Sequence, residues 1–367
     1  MHMNYDPALP YQQLPDLPPD TELETKAVLK AVVDASRELA SLNMACRRMP
    51  DPTLLINLTP LIEAQASSQI ENIVTTNDEL FRAASGALED VTPAIKEALR
   101  YREALRVGFE LVKERPLTTQ TAKAVCSMLH GSDAQIRNTS GTYIGNPMTQ
   151  LRVYTPPEGH DLIAEKLFSW ESFIHDHGDL DPLIAMALQH YQFEAIHPFY
   201  DGNGRTGRIL NLLCLQQYGL LSLPVLYMSG YLVRHKDEYY SLLKAVTAEG
   251  RWEDWVIFIA TAVAESARSA LQLIDKVLEH RDLLEHTIRA THPKMHAAEL
   301  ARILTSQPYA RIDDVVNAGL AQRVTASKWL QLLAEDGLIR REKMGRSVLF
   351  INTALVQDLF GQGLVAQ

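Results

Sequence analysis

The fold is decided by the stretch His197-Pro198-Phe199-Tyr200-Asp201-Gly202-Asn203-Gly204-Arg205-Thr206-Gly207-Arg208. Pro198 disfavours a helical backbone at His197, and Gly202, Asn203 and Gly204 are residue types that turn left-handed easily. One helix is therefore expected to end near His197 and another to begin just after Gly204. The turn between them would leave backbone N–H groups pointing outward at the start of the second helix.

A helix start of this kind favours anions, because unpaired N–H groups and the positive end of the helix dipole converge there. Arg205 and Arg208 lie three residues apart and share one face of the first turn. His197 adds a base, and the Asp201 carboxylate can hold Mg²⁺, so the stretch carries the groups that phosphoryl chemistry requires. The alternative is a glycine-rich turn between helices, with a hydrogen-bonded histidine that has no catalytic use.

The same stretch matches, position for position, the HPFx(D/E)GN(G/K)RxxR signature of the Fic family, whose members mostly transfer AMP from ATP to a protein hydroxyl. The resemblance implies that His197 takes the hydroxyl proton and that Asp201 holds Mg²⁺. It further implies that Arg205 stabilises the leaving charge and that Arg208 orients the γ-phosphate, so His197, Arg205 and Arg208 are the expected catalytic residues. The nucleotide contacts that it implies are Leu151, Arg152, Val153, Tyr154, Asp201, Gly202, Asn203, Gly204, Arg205, Thr206, Gly207, Arg208, Tyr239 and Tyr240.

A second motif lies N-terminal to this stretch, at residues 59–72. Thr59-Pro60 is expected to start a helix that runs to Asn72, with proline in its first turn. Ser67, Glu71 and Asn72 resemble the (S/T)xxxE(G/N) pattern of the inhibitory helix that many Fic proteins carry. Glu71 would then pair with the Arg208 guanidinium and repel the γ-phosphate, so that ATP binds unproductively. The alternative is an exposed helix face without a regulatory role.

Residues 136–157 change in character, because glycine, asparagine and proline separate short alternating runs. The pattern predicts a β-hairpin. In Fic proteins a hairpin at this place, the flap, binds the target protein by strand addition, so the resemblance implies a protein substrate along the hairpin at 143–154. A surface hairpin with no role is the alternative.

Tyr239 and Tyr240 stand where a tyrosine pair packs around the adenine and ribose in the family. Core aromatic residues at a helix start are the alternative for either one. Thr247 stands where some relatives have an asparagine that touches the nucleotide, which leaves that contact open.

Composition excludes several classes of protein. The chain has 367 residues, of which 46% are hydrophobic, and a net charge of −10, which argues against wholesale binding to nucleic acid or to a membrane surface. Its three widely spaced cysteines and the absence of an apolar leader favour a reduced, cytoplasmic location. No apolar run is expected to reach the length of a membrane span. Four histidines between 175 and 197 lack the cysteines or paired carboxylates of a zinc site.

Capping patterns place the scaffold helices. Thr21 with Glu24 and Thr76 with Glu79 have the spacing of capping boxes, and Thr92-Pro93 is typical of a helix start. A helix from Leu117 is expected to close at Gly131, and Trp252 opens a long amphipathic helix to about Arg289. The proline-rich residues 5–19 are expected to form an extended arm.

The residues beyond Pro293 resemble a winged helix-turn-helix, with three short helices, a recognition helix from about Thr325 and a basic wing. The side chains that could neutralise DNA phosphates there are Arg323, Lys328, Arg340, Arg341, Lys343 and Arg346. A winged helix that docks a protein is the alternative, since the whole chain is acidic.

These patterns predict an all-α protein with one β-hairpin. Residues 1–114 would form an N-terminal helical region with an inhibitory helix at about 59–72, residues 115–290 the Fic core, and residues 291–367 a winged helix. The expected function is a protein adenylyltransferase that uses ATP and Mg²⁺ to modify Ser, Thr or Tyr hydroxyls of a target or of itself. Removal of AMP at the same site, a CDP-alcohol donor, and an ATP-sensing DNA-binding regulator stay open, as does a homodimer.

Overall fold

Helices form most of the computed structural model of the chain, which describes residues 5–49, 53–86, 88, 91–146, 151–306, 308–344 and 347–360. Within these ranges the helices are α1 (Lys26–Arg48), α2 (Thr53–Ile70), α3 (Asn77–Ala84), α4 (Pro93–Glu114), α5 (Thr119–His130), α6 (His160–His175), α7 (Pro182–Ile196), α8 (Asn203–Gln217), α9 (Ser229–Arg234), α10 (Lys236–Glu249), α11 (Trp252–Thr291), α12 (Ala297–Ser306), α13 (Ile312–Asn317), α14 (Arg323–Glu335) and α15 (Thr353–Phe360). The strands are β1 (Ile144–Asn146), β2 (Leu151–Tyr154), β3 (Tyr309–Ala310), β4 (Arg340–Met344) and β5 (Ser347–Ile351). The mainly helical fold with its small hairpin confirms the predicted fold class.

The 40-residue helix α11 is the centre of the fold. It packs along α1 and also contacts α7, α9, α10, α12 and α15. Apolar residues recur every three or four positions on α1 and α11, so each helix turns one face toward the other. The long helix therefore runs from the catalytic region into the C-terminal part of the chain.

The expectation that no segment reaches membrane-spanning length is wrong for α11. Among the described residues, this one helix is long and apolar enough to cross a bilayer by length and composition alone, and 56% of its most apolar window is buried inside the protein. Packing explains that composition, because a helix enclosed by other helices needs apolar residues on most sides.

Helices α7 and α8 carry the decisive stretch and are buried almost throughout. The Asp181 carboxylate caps α7 by accepting from the Leu183 N–H at 2.8 Å, and Pro182 takes the first position, where no N–H is needed. Helices α4 and α5 pack against α8, and α6 packs against α7. The loop between α7 and α8 is therefore held by a scaffold on several sides.

Two predicted helix starts in the N-terminal region are wrong. Helix α1 is capped by Thr25, which accepts from the Val28 N–H at 3.3 Å, rather than by Thr21. Val28 begins the buried face of that helix, so the cap next to it prevails over the earlier capping pattern. Helix α2 begins at Thr53, and Pro60 lies inside it. Burial of apolar residues on both sides of Pro60 outweighs the hydrogen bond that proline removes.

Other predicted boundaries agree with the structure. Thr76 forms a capping box with Glu79, Thr92 caps α4, and Gly131 ends α5 in the left-handed conformation. Tyr239 and Tyr240 lie inside α10, near its start.

Strands β1 and β2 form the predicted antiparallel hairpin, with Ile144 opposite Tyr154. Its turn, with Pro147, falls outside the described residues. The N-terminal arm lies along the outer edge of β2, where the Tyr5 hydroxyl donates to the Val153 carbonyl at 3.0 Å. The Tyr11 N–H donates to the Thr155 carbonyl just beyond β2, also at 3.0 Å. The arm therefore covers one edge of the hairpin.

The C-terminal residues from α12 onward have a small core of their own, which the end of α11 completes. Helices α12, α13 and α14 are the three predicted short helices, and an antiparallel sheet follows the order β3-β5-β4. Strands β4 and β5 form the predicted hairpin, although Arg346 in its turn lies outside the described residues. Helix α15 was not predicted. It returns to α11, where Asp358 pairs with His280 and Lys276.

A cluster of charges joins the C-terminal part to α3. Arg82 Nη1 donates to Glu342 Oε1 at 2.6 Å, and Arg82 Nε donates to Asp78 Oδ2 at 2.5 Å. The Tyr309 hydroxyl also donates to Asp78, and the Arg82 guanidinium lies 5.3 Å from the centre of the Tyr309 ring. Strand β4 is thereby tied to the helix that follows Glu71 in the chain.

Candidate active site

The loop between α7 and α8 begins with a left-handed residue. His197 has φ of 50° and ψ of 58°, and its N–H donates to the Phe193 carbonyl at 3.0 Å. The last carbonyls of α7 have no partner within the helix. Buried Arg137 takes this role, because its Nε donates to the His197 carbonyl at 2.7 Å and its Nη2 to the Ile196 carbonyl at 3.1 Å. Arg137 thus fixes the backbone that carries the imidazole.

The middle of the loop is closed by Asn203. Its Oδ1 accepts from the Phe199 N–H and its Nδ2 donates to the Phe199 carbonyl, both at 2.8 Å. The Phe199 side chain is buried, as predicted. Gly202 has φ of 78° and caps α8, so the helix starts at Asn203, slightly earlier than expected. The Asn203 side chain therefore holds the loop, and only its backbone remains for a nucleotide.

The start of α8 offers three N–H groups. The first N–H bonded within the helix is that of Thr206, which donates to the Gly202 carbonyl at 2.9 Å. The N–H groups of residues 203, 204 and 205 precede it and lie at the positive end of the helix. The side chain of Thr206 is buried, and Gly207 lies against Phe193 and Glu194 of α7. These two residues pack the helix rather than line the open space.

His197 is held in its neutral form. Burial and, to a smaller extent, the nearby Arg137 charge lower the pKa of its imidazole to about 4, while Glu71 and Asp201 act against the shift. Nδ1 is buried. Nε2 is therefore the nitrogen that can accept a proton from a substrate at neutral pH.

Asp201 is the exposed carboxylate of the loop, with 72% of its side chain open to solvent. Its Oδ1 accepts from the Gly202 N–H at 2.6 Å and lies 3.3 Å from Arg205 Nη2. The His130 ring lies 3.1 Å from the Asp201 carbonyl oxygen. The backbone is thus fixed, while Oδ2 faces solvent and can bind a cation.

Arg205 is positioned from two sides. Its guanidinium pairs with Asp201 and with Glu97 of α4, although only 6% of the Arg205 side chain is exposed. Burial lowers the pKa of Arg205, an effect that the Glu71 carboxylate opposes. The Glu97 contact keeps the guanidinium near the helix start without any nucleotide present.

Arg208 is buried and faces the end of α2. Its Nη2 donates to Glu71 Oε1 at 2.8 Å, its Nε donates to Ser67 Oγ at 2.8 Å, and Nη2 also donates to the Ser67 carbonyl at 3.0 Å. Burial acts to raise the pKa of Glu71, but the charge and hydrogen bond of Arg208 outweigh it and lower that pKa overall. A side chain at Gly204 would collide with Glu71 Oε1. The Glu71 carboxylate therefore sits at the helix start that favours anions.

Asn72 has a different position from the other two residues of the inhibitory pattern. Helix α2 ends at Ile70, so Glu71 and Asn72 form the turn after it rather than its last residues. Asn72 is left-handed, with φ of 63°, and its Oδ1 accepts from Lys236 Nζ at 3.0 Å. It shapes the turn that presents Glu71, and its side chain contacts Lys236 rather than Arg208.

A cavity of about 70 Å³ lies between the flap hairpin and α10. Val153 and Tyr154 line it from β2, and Tyr240 and Thr247 line it from α10. Arg152 instead donates to the Ala8 carbonyl of the arm at 3.1 Å, and the side chain of Leu151 lies outside the described residues. Of the four strand residues predicted to contact the nucleotide, two line the cavity.

The two tyrosines predicted to contact the nucleotide have different environments. Tyr240 lines the cavity, whereas Tyr239 is buried with its hydroxyl 2.9 Å from His190 Nε2. Burial lowers the pKa of His190 to about 3. For Tyr239 the structure shows a core residue, because its hydroxyl is used inside the protein. The Thr247 hydroxyl lies 2.9 Å from that of Tyr191 and also belongs to the cavity wall.

Three residues of the site were missed by sequence reasoning, namely Arg137, Glu97 and Glu194. Glu194 stands one helical turn before His197, and that spacing was a usable signal. Arg137 and Glu97 lie in segments far from the motif, where no local pattern marks them. No group of three or more histidine, cysteine or acidic side chains that could hold a metal occurs among the described residues.

The predicted DNA-binding side chains are partly neutralised. Arg323 pairs with Asp313, and Arg340 Nη2 lies 3.3 Å from Glu342 Oε2. Lys328, Arg341 and Lys343 are exposed. The basic surface of the C-terminal part is therefore small.

Three family models match the chain and together cover well over half of it. They are the Fic/DOC family N-terminal model at residues 29–110, the Fic/DOC family model at 116–215, and the model of the protein adenylyltransferase SoFic-like C-terminal domain at 281–355. Similar curated proteins include the protein adenylyltransferase Fic of Drosophila virilis, 35% identical over 109 residues that make up 29% of this chain and 21% of that protein. The Drosophila melanogaster protein of the same name is also 35% identical over 109 residues, which make up 20% of its length. The match thus spans about a fifth of these relatives.

Solved structures share the fold. A Fic family protein from Desulfovibrio desulfuricans G20 aligns with a TM-score of 0.57 at 20% identity, over 91% of this chain and 98% of that one. Fic-1 from C. elegans aligns with a TM-score of 0.52 at 20% identity, over 67% of this chain and 74% of that one. The decisive stretch lies inside the region that the Fic/DOC family model matches. The chain belongs to the Fic family.

Proposed function

We propose that the protein transfers AMP from ATP to a hydroxyl group of a target protein. The observation that carries this proposal is the grouping of a neutral, half-buried His197, an exposed Asp201 carboxylate and two guanidiniums around one helix start. The relatives named protein adenylyltransferase support it, although the match covers about a fifth of their length.

In the proposed reaction the triphosphate lies at the start of α8. The N–H groups of residues 203–205 hold its oxygens, and Arg205 neutralises charge that develops on the leaving pyrophosphate. His197 Nε2 accepts the proton of the target hydroxyl, whose oxygen attacks the α-phosphorus. A P–O bond to AMP forms, the bond to pyrophosphate breaks, and the proton stays on the imidazole until solvent removes it.

A magnesium ion fits the same place. Mg²⁺ keeps several waters and is bound through one or two carboxylates plus substrate phosphates, so a single exposed carboxylate is sufficient. Asp201 has one oxygen engaged by Gly202 and Arg205 and the other open to solvent. When bound, the ion would neutralise phosphate charge.

The contact between Glu71 and Arg208 supports autoinhibition. Two nitrogens of the guanidinium that would orient the γ-phosphate already donate hydrogen bonds, Nη2 to Glu71 and both Nη2 and Nε to oxygens of Ser67. The Glu71 carboxylate also lies over Gly204, where a phosphate would approach the helix start. ATP would bind with its γ-phosphate displaced until the turn at 71–72 moves away.

The flap hairpin supports binding of the target. The arm covers the outer edge of β2, which leaves the edge of β1 for an added strand of the target protein.

The buried, unpaired cysteines Cys46, Cys126 and Cys214 support the proposed cytoplasmic location.

The test uses ATP labelled on the α- or the γ-phosphate with the full chain and two variants, Glu71→Gly and His197→Ala, and locates the label by mass spectrometry. We expect α-label on protein, more of it with Glu71→Gly, and none with His197→Ala. Label from the γ-phosphate would show phosphoryl transfer instead. Equal α-labelling of Glu71→Gly and the unaltered chain would contradict autoinhibition, and full labelling by His197→Ala would contradict the base.

Removal of AMP is the second candidate, because Glu71 could position the attacking water from the same place. Incubation of AMP-modified protein with the unaltered chain tests it, and release of AMP that is lost in Glu71→Gly would favour it. A CDP-alcohol donor is less suited, since it has no γ-phosphate for Arg208.

For the C-terminal part we propose a docking surface for DNA or a protein at Lys328, Arg341 and Lys343, which are exposed. Gel shifts at several salt concentrations test DNA binding, which should weaken steeply with salt. A shift that persists after removal of the residues beyond 293 would contradict it.

A further inference from the structure

Glu194 has no part in the chemistry proposed above, yet it lies close to His197 in the chain and lines a cavity. It lies on α7 one turn before His197 and lines the cavity between the flap hairpin and α10. Val153 and Tyr240 face it across that cavity. The cavity wall is otherwise mostly aliphatic and aromatic, so a carboxyl group stands out as a polar group in an apolar recess.

The carboxyl group is placed without a partner. Glu194 Oε1 is buried and has no hydrogen bond to any described residue. A side chain at Gly207 would collide with this oxygen, so the glycine of α8 leaves the room that the carboxyl group occupies. A buried carboxyl oxygen without a partner is unfavourable, and its persistence in a side chain that lines the cavity points to a ligand that supplies the partner.

The protonation state of Glu194 is balanced near neutrality. Burial raises the pKa of this carboxyl group to about 7, with Arg208 lowering it and Glu71 raising it. A protonated carboxyl group presents an O–H donor beside an oxygen acceptor. The 6-amino group of adenine and the ring nitrogen next to it present a donor beside an acceptor, which is the complementary pattern.

We propose that Glu194, in its protonated form, recognises the adenine base of bound ATP by accepting from the 6-amino group and donating to the adjacent ring nitrogen. This inference rests on the proposed function, because it assigns the nucleotide of that reaction. Val153 and Tyr240 would contact the faces of the base, and Glu194 would select it by its edge. Glu194 is thus a specificity-determining residue rather than a catalytic one.

Several charged and titratable groups surround Glu194. They are Tyr191 on α7, His197 just after α7, Arg208 on α8, Tyr239, Tyr240 and Lys244 on α10, Tyr154 on β2, Glu71 after α2, and Tyr5 of the arm. Loss of the proton would leave two oxygen acceptors facing the ring nitrogen of adenine, which is also an acceptor. Preference for adenine should therefore fall as the pH rises through the titration of Glu194.

The test compares ATP with purine riboside triphosphate, which lacks the 6-amino group but titrates at its phosphates in the same way. Binding of both to the full chain carrying Glu71→Gly is measured by calorimetry, with and without Glu194→Leu, Glu194→Gln and Gly207→Ala. With Glu194 present we expect ATP to bind about tenfold or more tighter than the analogue. Glu194→Leu and Gly207→Ala should reduce this ratio to about twofold or less, while affinity for the analogue changes little.

Glu194→Gln provides the second measurement, because its amide has a donor beside an acceptor at every pH. Its ratio should stay constant from pH 6 to pH 8, whereas the ratio with Glu194 should fall. The inference is overturned if the ratio of the two affinities is the same with Glu194 and with Glu194→Leu, or if its pH dependence persists in Glu194→Gln. Either result would leave the proposal of AMP transfer intact. If Glu194→Leu does not fold, the pH dependence of the affinity ratio in Glu194→Gln still tests the inference. Failure of every form to bind either nucleotide overturns the proposed function as well.

Discussion

Glu71 Oε1 lies 2.8 Å from Arg208 Nη2, so a carboxylate of the chain occupies the place that the start of α8 offers to a phosphate. Only 1% of the Arg208 side chain is exposed, against 34% for Glu71. The buried guanidinium therefore keeps its position while the carboxylate stands at the surface end of the pair. A displacement of the turn at 71–72 would remove Glu71 from Arg208, while the Ser67 contacts keep the guanidinium in place.

This asymmetry predicts a graded series of activated variants. Glu71→Gly removes charge and hydrogen bond together, and because a hydrogen bond to a charged group contributes about 1.5–3 kcal/mol, AMP transfer should rise by about tenfold or more. Glu71→Gln keeps an acceptor without the charge, so its rate of AMP transfer should rise less. Ser67→Ala should give the smallest rise. Initial rates with α-labelled ATP measure the series. Rates for Glu71→Gln at or below the unaltered chain would contradict a role for the charge.

Arg137 should be important both for stability and for the position of His197. Arg137→Lys cannot reach the carbonyls of residues 196 and 197 together, and the unfolding free energy should fall by about 2–4 kcal/mol. AMP transfer by Arg137→Lys should fall in the Glu71→Gly background. Urea unfolding and labelled transfer measure the two effects. Arg37→Ala, at an exposed ion pair of α1, is the control and should change stability by less than about 0.5 kcal/mol.

The sequence predicted the parts of the site that depend on neighbouring residues. The turn after His197, the helix start near Gly204 and the capping box at Thr76 follow from the preferences of a few residues in a row. The contact of Glu71 with Arg208 was reached through a family pattern rather than through local physics, because these residues are 137 positions apart.

Other parts depend on tertiary packing and left no local signal. Arg137 serves a carbonyl 60 residues away, and any basic residue brought there by the fold could have done so. Tyr239 and Tyr240 are adjacent, yet one hydroxyl is used by buried His190 and the other ring faces the cavity. Their division follows from which face of α10 packs on α7 and α11, and adjacency in sequence cannot show that face.

The pKa of His197 predicts how activity depends on acid. Because burial lowers this pKa to about 4, the imidazole stays neutral and able to accept a proton well below the usual histidine range. Protonation removes the base only as the pH falls toward that value. AMP transfer by Glu71→Gly should therefore persist from pH 8 down to about pH 5, as labelled transfer at saturating ATP would show. A half-maximal fall near pH 6.5 would contradict the burial effect.

The charge cluster between α3 and β4 should couple the C-terminal part to the rest of the chain. Arg82 contacts both Asp78 and Glu342, and only 10% of its side chain is exposed. In a double-mutant cycle of Arg82→Ala and Glu342→Ala, we expect a coupling of about 1 kcal/mol in the unfolding free energy. Since Glu342 is partly exposed, high salt should reduce this coupling energy. Additive effects of the two substitutions would show that the contact contributes nothing.

Glu194 should make the protein less stable at alkaline pH in the absence of ligand. Its pKa is raised by burial to about 7, so the folded state holds a proton that the unfolded state releases at lower pH. The stability from that proton is complete below the unfolded pKa and is lost as the pH rises through the folded one. Glu194→Gln does not titrate, so its melting temperature relative to the unaltered chain should be higher at pH 8 than at pH 5. Glu249→Gln, at an exposed position of α10, is the matched control and should show no such difference. A difference for Glu194→Gln that is constant with pH would mean that the carboxyl group does not titrate between these values.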